Sequence, residues 1–194
     1  MTAESPAEPF LFRLKVEHTP SPNDPAGADE FYRALGIMVV AWGRLEGHFV
    51  TTLLLMMTVA GADLGEKLPM DWKSRSAMWR KAFDAIPDLS MFKVSALKFI
   101  EKMEALALDR HAIVHSLWEG FNNVEPLSIG AVLIRAKNKT QDGLDIRRAQ
   151  VTVENIVEAG KRANELNLRL MPLSQFLTGC RNARNPPSAN IGVV

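Results

Sequence analysis

Residues 29–60 read DEFYRALGIMVVAWGRLEGHFVTTLLLMMTVA, and the spacing of their apolar side chains decides the fold class. Phe31, Leu35, Met38, Trp42, Leu45, Phe49, Thr52 and Met56 recur every three or four positions, which gathers them on one stripe of a long α-helix. Asp29 is the N-cap candidate, because a short acceptor side chain can satisfy a free N–H of the first turn. Gly61 is the stop, since glycine tolerates the left-handed conformation that commonly follows a helix. Arg44, Glu46 and His48 interrupt the apolar run near its middle. Ionisable groups at that depth argue against a membrane span and for a helix buried in a bundle.

The same punctuation organises the rest of the chain. Asp63 to Met70 reads as a linker containing Gly65 and Pro69, and a shorter helix is expected from Trp72 to Ala85, ahead of Pro87. A third helix begins near Asp88 or Ser90 and runs to about Glu119, with Gly120, Asn122 and Asn123 as its stop. Leu127 to Arg135 then turns β-rich through Ile129, Val132 and Ile134. Residues 138–143 are turn-like and Leu144 to Val151 return, which predicts one β-hairpin. A last helix follows from Val153 to about Phe176, where Pro172 bends or ends it. At the other end, Pro6, Pro9, Pro20, Pro22 and Pro25 make residues 1–27 an extended leader, with Phe10, Phe12, Leu14 and Val16 alternating as a strand or docking arm. The expected architecture is mainly α: an antiparallel helical bundle over residues 28–179 with a β-hairpin appended at about 127–151, then a loosely packed tail over 180–194.

Bulk composition narrows the function classes. The chain has 194 residues and 47% hydrophobic content, enough for one domain with a real core. A net charge of +1 provides no global field toward nucleic acid or anionic lipid, so such binding must rest on a local patch. Cys180 is the single cysteine, which excludes an intramolecular disulfide and fits the reducing cytoplasm. The acidic, proline-containing start lacks the basic and apolar regions of a signal peptide, so a cytoplasmic protein with no membrane association is expected. Gly-rich phosphate loops, Ser-His-Asp patterns and paired metal-binding cysteines are absent from the sequence.

Chemistry concentrates in Arg110-His111-Ala112-Ile113-Val114-His115, inside the third helix. A guanidinium binds phosphate through paired donors, and an imidazole exchanges protons near neutral pH. Leu108, His111, His115 and Trp118 share one face of an ideal helix, with the two histidines a turn apart. Arg110 and His115 are offset by roughly 140° on such a helix. They meet only if the long arginine stem sweeps round, the helix kinks, or a second copy brings the missing half.

This segment resembles the signature of the HEPN superfamily of helical-bundle ribonucleases: an arginine, a polar residue, and a histidine after a gap of four to six. The longer form Arg-Asn-x-x-x-His-Gly-x-Trp is similar to Arg110 through Trp118, with His111 and Ser116 where that form has asparagine and glycine. The Trp42-Gly43-Arg44-Leu45-Glu46 segment resembles the long glutamate-bearing helix of the same family, so the likeness spans about Asp29 to Glu119. The resemblance implies a metal-independent endoribonuclease acting as a homodimer, with no cofactor, in a toxin or defence setting with an antitoxin or other protein partner. It also implies roles. His115 takes the proton of a ribose 2′-OH, Arg110 holds the phosphorane, and His111 or the His115 of a second copy protonates the leaving oxygen. Two other readings stand beside it: a catalytically silent module of the same type that binds RNA or protein, and a purely structural helical dimer.

Other residues complete the expectations. Glu46 lies on the apolar stripe, where a carboxylate needs a partner; it buttresses Arg110 or a motif histidine, or forms an ordinary interhelical ion pair. Trp72, Lys73, Arg75, Trp79, Arg80 and Lys81 interleave aromatic and basic groups, either as an RNA-binding surface carried by Arg75, Arg80 and Lys81 or as a short amphipathic helix that buries its tryptophans. His111 and His115 have the spacing of two zinc ligands, with Glu46 or Glu104 in reach, but no glutamate follows His111 as in metalloprotease helices, and no metal is expected. His48 reads as padding without a partner.

Overall fold

A computed structural model describes residues 25–59, 64–122, 126–136 and 144–184. Among these the protein is mainly helical with one small three-stranded antiparallel sheet. The elements in order are α1 (Ala28–Val59), α2 (Trp72–Ala85), a 3₁₀ turn (Pro87–Phe92), α3 (Lys93–His115), β1 (Leu117–Asn122), β2 (Ser128–Ala136), β3 (Leu144–Thr152) and α4 (Val153–Arg184). The expected strand or docking arm of the leader, the stop at Gly61, the hairpin turn and residues 185–194 of the tail lie outside the described residues. No described helix is long and apolar enough to cross a membrane.

The apolar stripe of α1 is buried as its spacing requires: Phe31, Leu45, Phe49, Leu53 and Met56 are fully enclosed. α3 runs against α1, with Phe49 beside Phe99 near one end and Phe31 beside Trp118 at the other. It also runs against α4, where Phe92 meets Phe176 and Asp109 pairs with Arg162. α1 and α4 therefore lie side by side in the same direction. Gly160 sits against the Met38 backbone, so a Cβ there would come within 3.5 Å of the Met38 Cα. Further along this seam, His48 is far from padding. Its Nδ1 bonds the Asn167 side-chain oxygen at 2.9 Å and its Nε2 bonds Ser174 Oγ at 2.7 Å, while Ser174 also meets Thr52 at 2.8 Å. These bonds lock the register of two helices whose remaining contacts are apolar and non-directional.

α2 begins where its cap dictates, with the Asp71 side chain accepting from the Ser74 N–H at 2.8 Å. Trp79 is fully buried among Phe49, Phe83 and Phe99, and its indole N–H donates to the Ala96 carbonyl at 2.9 Å. A buried indole with its donor satisfied is a core anchor, and it presents no face to a base.

Four element boundaries differ from the sequence expectation. α1 starts at Ala28, so Asp29 lies in its first turn rather than capping it, and α3 starts at Lys93, after the 3₁₀ turn, rather than near Asp88 or Ser90. α4 continues through Pro172 to Arg184, so residues 180–184 are helical rather than tail. α3 ends at His115, not near Glu119, and the residues assigned to its last turn form β1. The appended unit is thus a three-stranded sheet in the order β1-β2-β3 rather than a single hairpin. Ser116 adopts an extended backbone (φ −74°, ψ 150°), and the chain then pairs Leu117 with Val132. The register slips between Trp118 and Gly120, and Gly120 carries a φ of 120° that favours glycine. The bulge puts Trp118 and Phe121 on the same face, where each meets the Phe31 ring edge-on at 5.5 Å.

Candidate functional site

The end of α3 carries the site. α3 stops at His115, and the long Arg110 side chain reaches that imidazole from five residues earlier in the same chain. Arg110 Nη1 lies 3.0 Å from His115 Nε2. A guanidinium has only donors, so Arg110 donates and Nε2 accepts. The lone pair that a general base would use is capped by the arginine.

His111 stands beside this pair, its ring centroid 4.7 Å from that of His115. Arg110, His111 and His115 thus form one continuous patch. Trp118 is not on their helix face; it belongs to β1 and packs against Phe31. Arg110 Nε is the one buried side-chain nitrogen or oxygen among the described residues with no hydrogen-bond partner. An unmet buried donor is costly, by about 1–3 kcal/mol, and an arriving oxyanion that turns the guanidinium would relieve it.

Arg110 and His111 also line a cleft of about 360 Å³ between α1, α2 and α3. Its other walls include Trp42, Glu46, Trp72 and Glu104. Glu46 shares this cleft with Arg110 and His111, and it is held by two other groups. Its Oε2 accepts from Trp42 Nε1 at 3.0 Å, and its Oε1 pairs with Arg75 Nη1 at 3.4 Å. The physical reason is position: α2 crosses here, and Arg75 is fixed over Glu46 by donating Nε–H to the Pro69 carbonyl at 2.7 Å. Of the proposed RNA-contacting cations, Arg75 is thereby withdrawn from the surface, with 14% of its side chain exposed. Arg80 is committed too. It clasps Glu104 through Nη2 to Oε2 at 2.8 Å and Nη1 to Oε1 at 3.0 Å, and Ser76 closes the triangle by bonding the same carboxylate. Lys81 remains on the exposed side of α2. The aromatic-basic stretch is chiefly an amphipathic helix whose two arginines are spent on α1 and α3.

The Arg80 hydrogen bond, aided by Ser76, holds the Glu104 carboxyl below its ordinary value of 4.5 against the opposing effect of burial. Glu104 and Trp72 were not legible as parts of one cleft from the sequence. The usable signal was local: Trp42 and Glu46 are one helical turn apart, the spacing at which an indole N–H reaches a carboxylate. Among the described residues, no three His, Cys, Asp or Glu side chains gather as a metal ion needs.

No family model, characterised protein or solved structure matches this chain.

Proposed function

We propose that this protein is a metal-independent endoribonuclease of HEPN type, with Arg110 and His115 as the reacting pair. The observation that carries this reading is the 3.0 Å contact between Arg110 Nη1 and His115 Nε2 in a single chain. A phosphodiester competes for the guanidinium. When its oxygens take the arginine donors, Nε2 is uncapped and accepts the proton of the ribose 2′-OH. The 2′-oxygen then attacks the adjacent phosphorus, and the P–O5′ bond breaks to leave a 2′,3′-cyclic phosphate. Arg110 stabilises the charge that builds on the non-bridging oxygens. The need for a 2′-OH makes RNA the substrate rather than DNA.

The leaving 5′-oxygen needs a proton donor on the far side of phosphorus from the base. His111 and His115 are in ring contact and therefore stand on the same side of any phosphate held by Arg110. The donor in this reading is His115 of a second copy, and His111 keeps the base ring oriented. Two large apolar side chains flank the motif and support such an apposition: Leu108 is 62% exposed and Leu117 is 63% exposed. The finer architecture belongs to the same proposal: a helical bundle, paired across a two-fold axis that brings the two α3 ends together.

The test is incubation of the purified protein with structured RNA in EDTA. Wild type cleaves, and His115→Ala and Arg110→Ala each lower the rate by at least about 10²-fold. Cleavage undiminished in either variant overturns the assignment. RNA retained without cleavage by wild type identifies the silent binding module instead.

A further inference from the structure

The cleft beside Arg110 divides by charge. Its rim carries the guanidinium and imidazole of Arg110 and His111, while its inner wall carries two carboxylates and two indoles. Phosphate is favoured at the rim and repelled inside. What the inside can accept is a flat group with hydrogen-bond donors on its edge. The volume, about 360 Å³, falls within the range of small-ligand clefts, roughly 300–1,000 Å³.

We propose that this cleft holds the nucleobase next to the phosphate gripped by Arg110, and that Glu46 selects guanine by accepting from its Watson–Crick edge. The inference rests on the ribonuclease reading for its choice of ligand. Trp72 is half-buried and tilted against Trp42 and Phe49, so part of its indole stays available to a base. Trp42 is buried and aims Glu46 by donating to Oε2. The Arg75 contact to Oε1 is long at 3.4 Å, and the Glu46 side chain is 40% exposed, which leaves lone pairs of both oxygens for a ligand. Glu104 is gripped at both oxygens by Arg80 and is the weaker acceptor.

The chemistry of the four bases then sets the order. Guanine offers N1–H and an exocyclic N2–H side by side, matching the two oxygens of one carboxylate. Adenine and cytosine each offer one exocyclic amine beside a ring acceptor. Uracil offers N3–H between two carbonyl oxygens, which a carboxylate repels.

The experiment titrates the intact protein with guanosine 3′-monophosphate and uridine 3′-monophosphate, followed by tryptophan fluorescence. The guanosine nucleotide binds about tenfold tighter or more, and Glu46→Gln reduces that preference to about twofold or less. Glu46→Asp keeps the carboxylate and keeps guanosine favoured. Trp72→Ala weakens both nucleotides by about tenfold, and Trp72→Phe restores most of the loss. Equal affinities in wild type, an unaltered preference in Glu46→Gln, or displacement by choline as readily as by guanosine would each overturn the proposal. These ligands are not cleaved, so the two readings fail separately. A guanosine preference in a protein that leaves RNA intact sinks the nuclease and spares the base site. Arg110-dependent cleavage with equal nucleotide affinities does the reverse.

Discussion

A residue's usefulness here depends on what its neighbours leave unsatisfied. Arg110 spends one donor on His115 and leaves Nε unmet, so an incoming phosphate finds a guanidinium with something to gain. Lysine at this position keeps the charge but has no paired donors. Arg110→Lys should therefore recover little, leaving cleavage about 10²-fold below wild type in a single-turnover assay. Glu104 makes a different prediction. Its carboxyl is held below the usual 4.5 in the folded protein, chiefly by the Arg80 bond. The stability this contributes is complete above the unfolded value and is lost as pH falls through the folded one. Urea midpoints measured from pH 6 downward should fall more steeply below 4.5 for wild type than for Glu104→Gln. The Arg110 and His115 pair was visible in the sequence as chemistry but not as geometry. The 140° offset of an ideal helix is bridged by the reach of the arginine side chain, which no periodicity displays. Glu46 was visible only as a carboxylate in need of a cation. Which cation depended on where α2 crosses, and that is a tertiary fact.

At the scale of elements, the long helices were legible because a stripe of large apolar groups at a 3.6 period has few other readings. β1 was not. A bulge adds one residue to the strand, so Trp118 and Phe121, three apart, share a face just as they would on a helix. Gly120 makes that bulge possible. Gly120→Ala should cost about 1–3 kcal/mol in a denaturant titration, because alanine at a φ of 120° is strained whatever room surrounds it. Gly130 serves the sheet in another way. Its missing Cβ leaves space for Glu119 to lie across β2 and reach Arg148 at 3.4 Å. The α1–α4 seam was half legible: its apolar positions followed the period, but the polar pin of His48, Thr52, Asn167 and Ser174 joins residues more than a hundred positions apart. Ser174→Ala leaves His48 Nε2 short of its partner and should lower stability by about 1–3 kcal/mol, read as a shift in the urea midpoint without a change in slope.

For the whole molecule, the proposed reaction needs two copies, since one chain keeps both histidines on a single side of the phosphate. A mixed dimer of wild type with His115→Ala then lacks an imidazole in each composite site. Excess His115→Ala, allowed to exchange subunits, should suppress wild-type cleavage by about tenfold beyond dilution. Activity that follows only the amount of wild-type chain would mean that one protomer suffices. The composition neither demands nor forbids such a reaction: with a net charge of +1, any RNA binding has to rest on a local patch, and the proposed one lies where the end of α3 meets α1 and α2. The claim beneath the whole account is that Arg110 and His115 direct a 2′-hydroxyl onto its neighbouring phosphorus. Its most direct measurement is the chemical nature of the new ends when an RNA strand, and the same strand with 2′-deoxyribose at the scissile position, are incubated with the protein in EDTA. The account predicts 2′,3′-cyclic phosphate and 5′-hydroxyl ends from the first and no cut at that position in the second. Cleavage of the deoxy-substituted position, or 5′-phosphate ends, would contradict it.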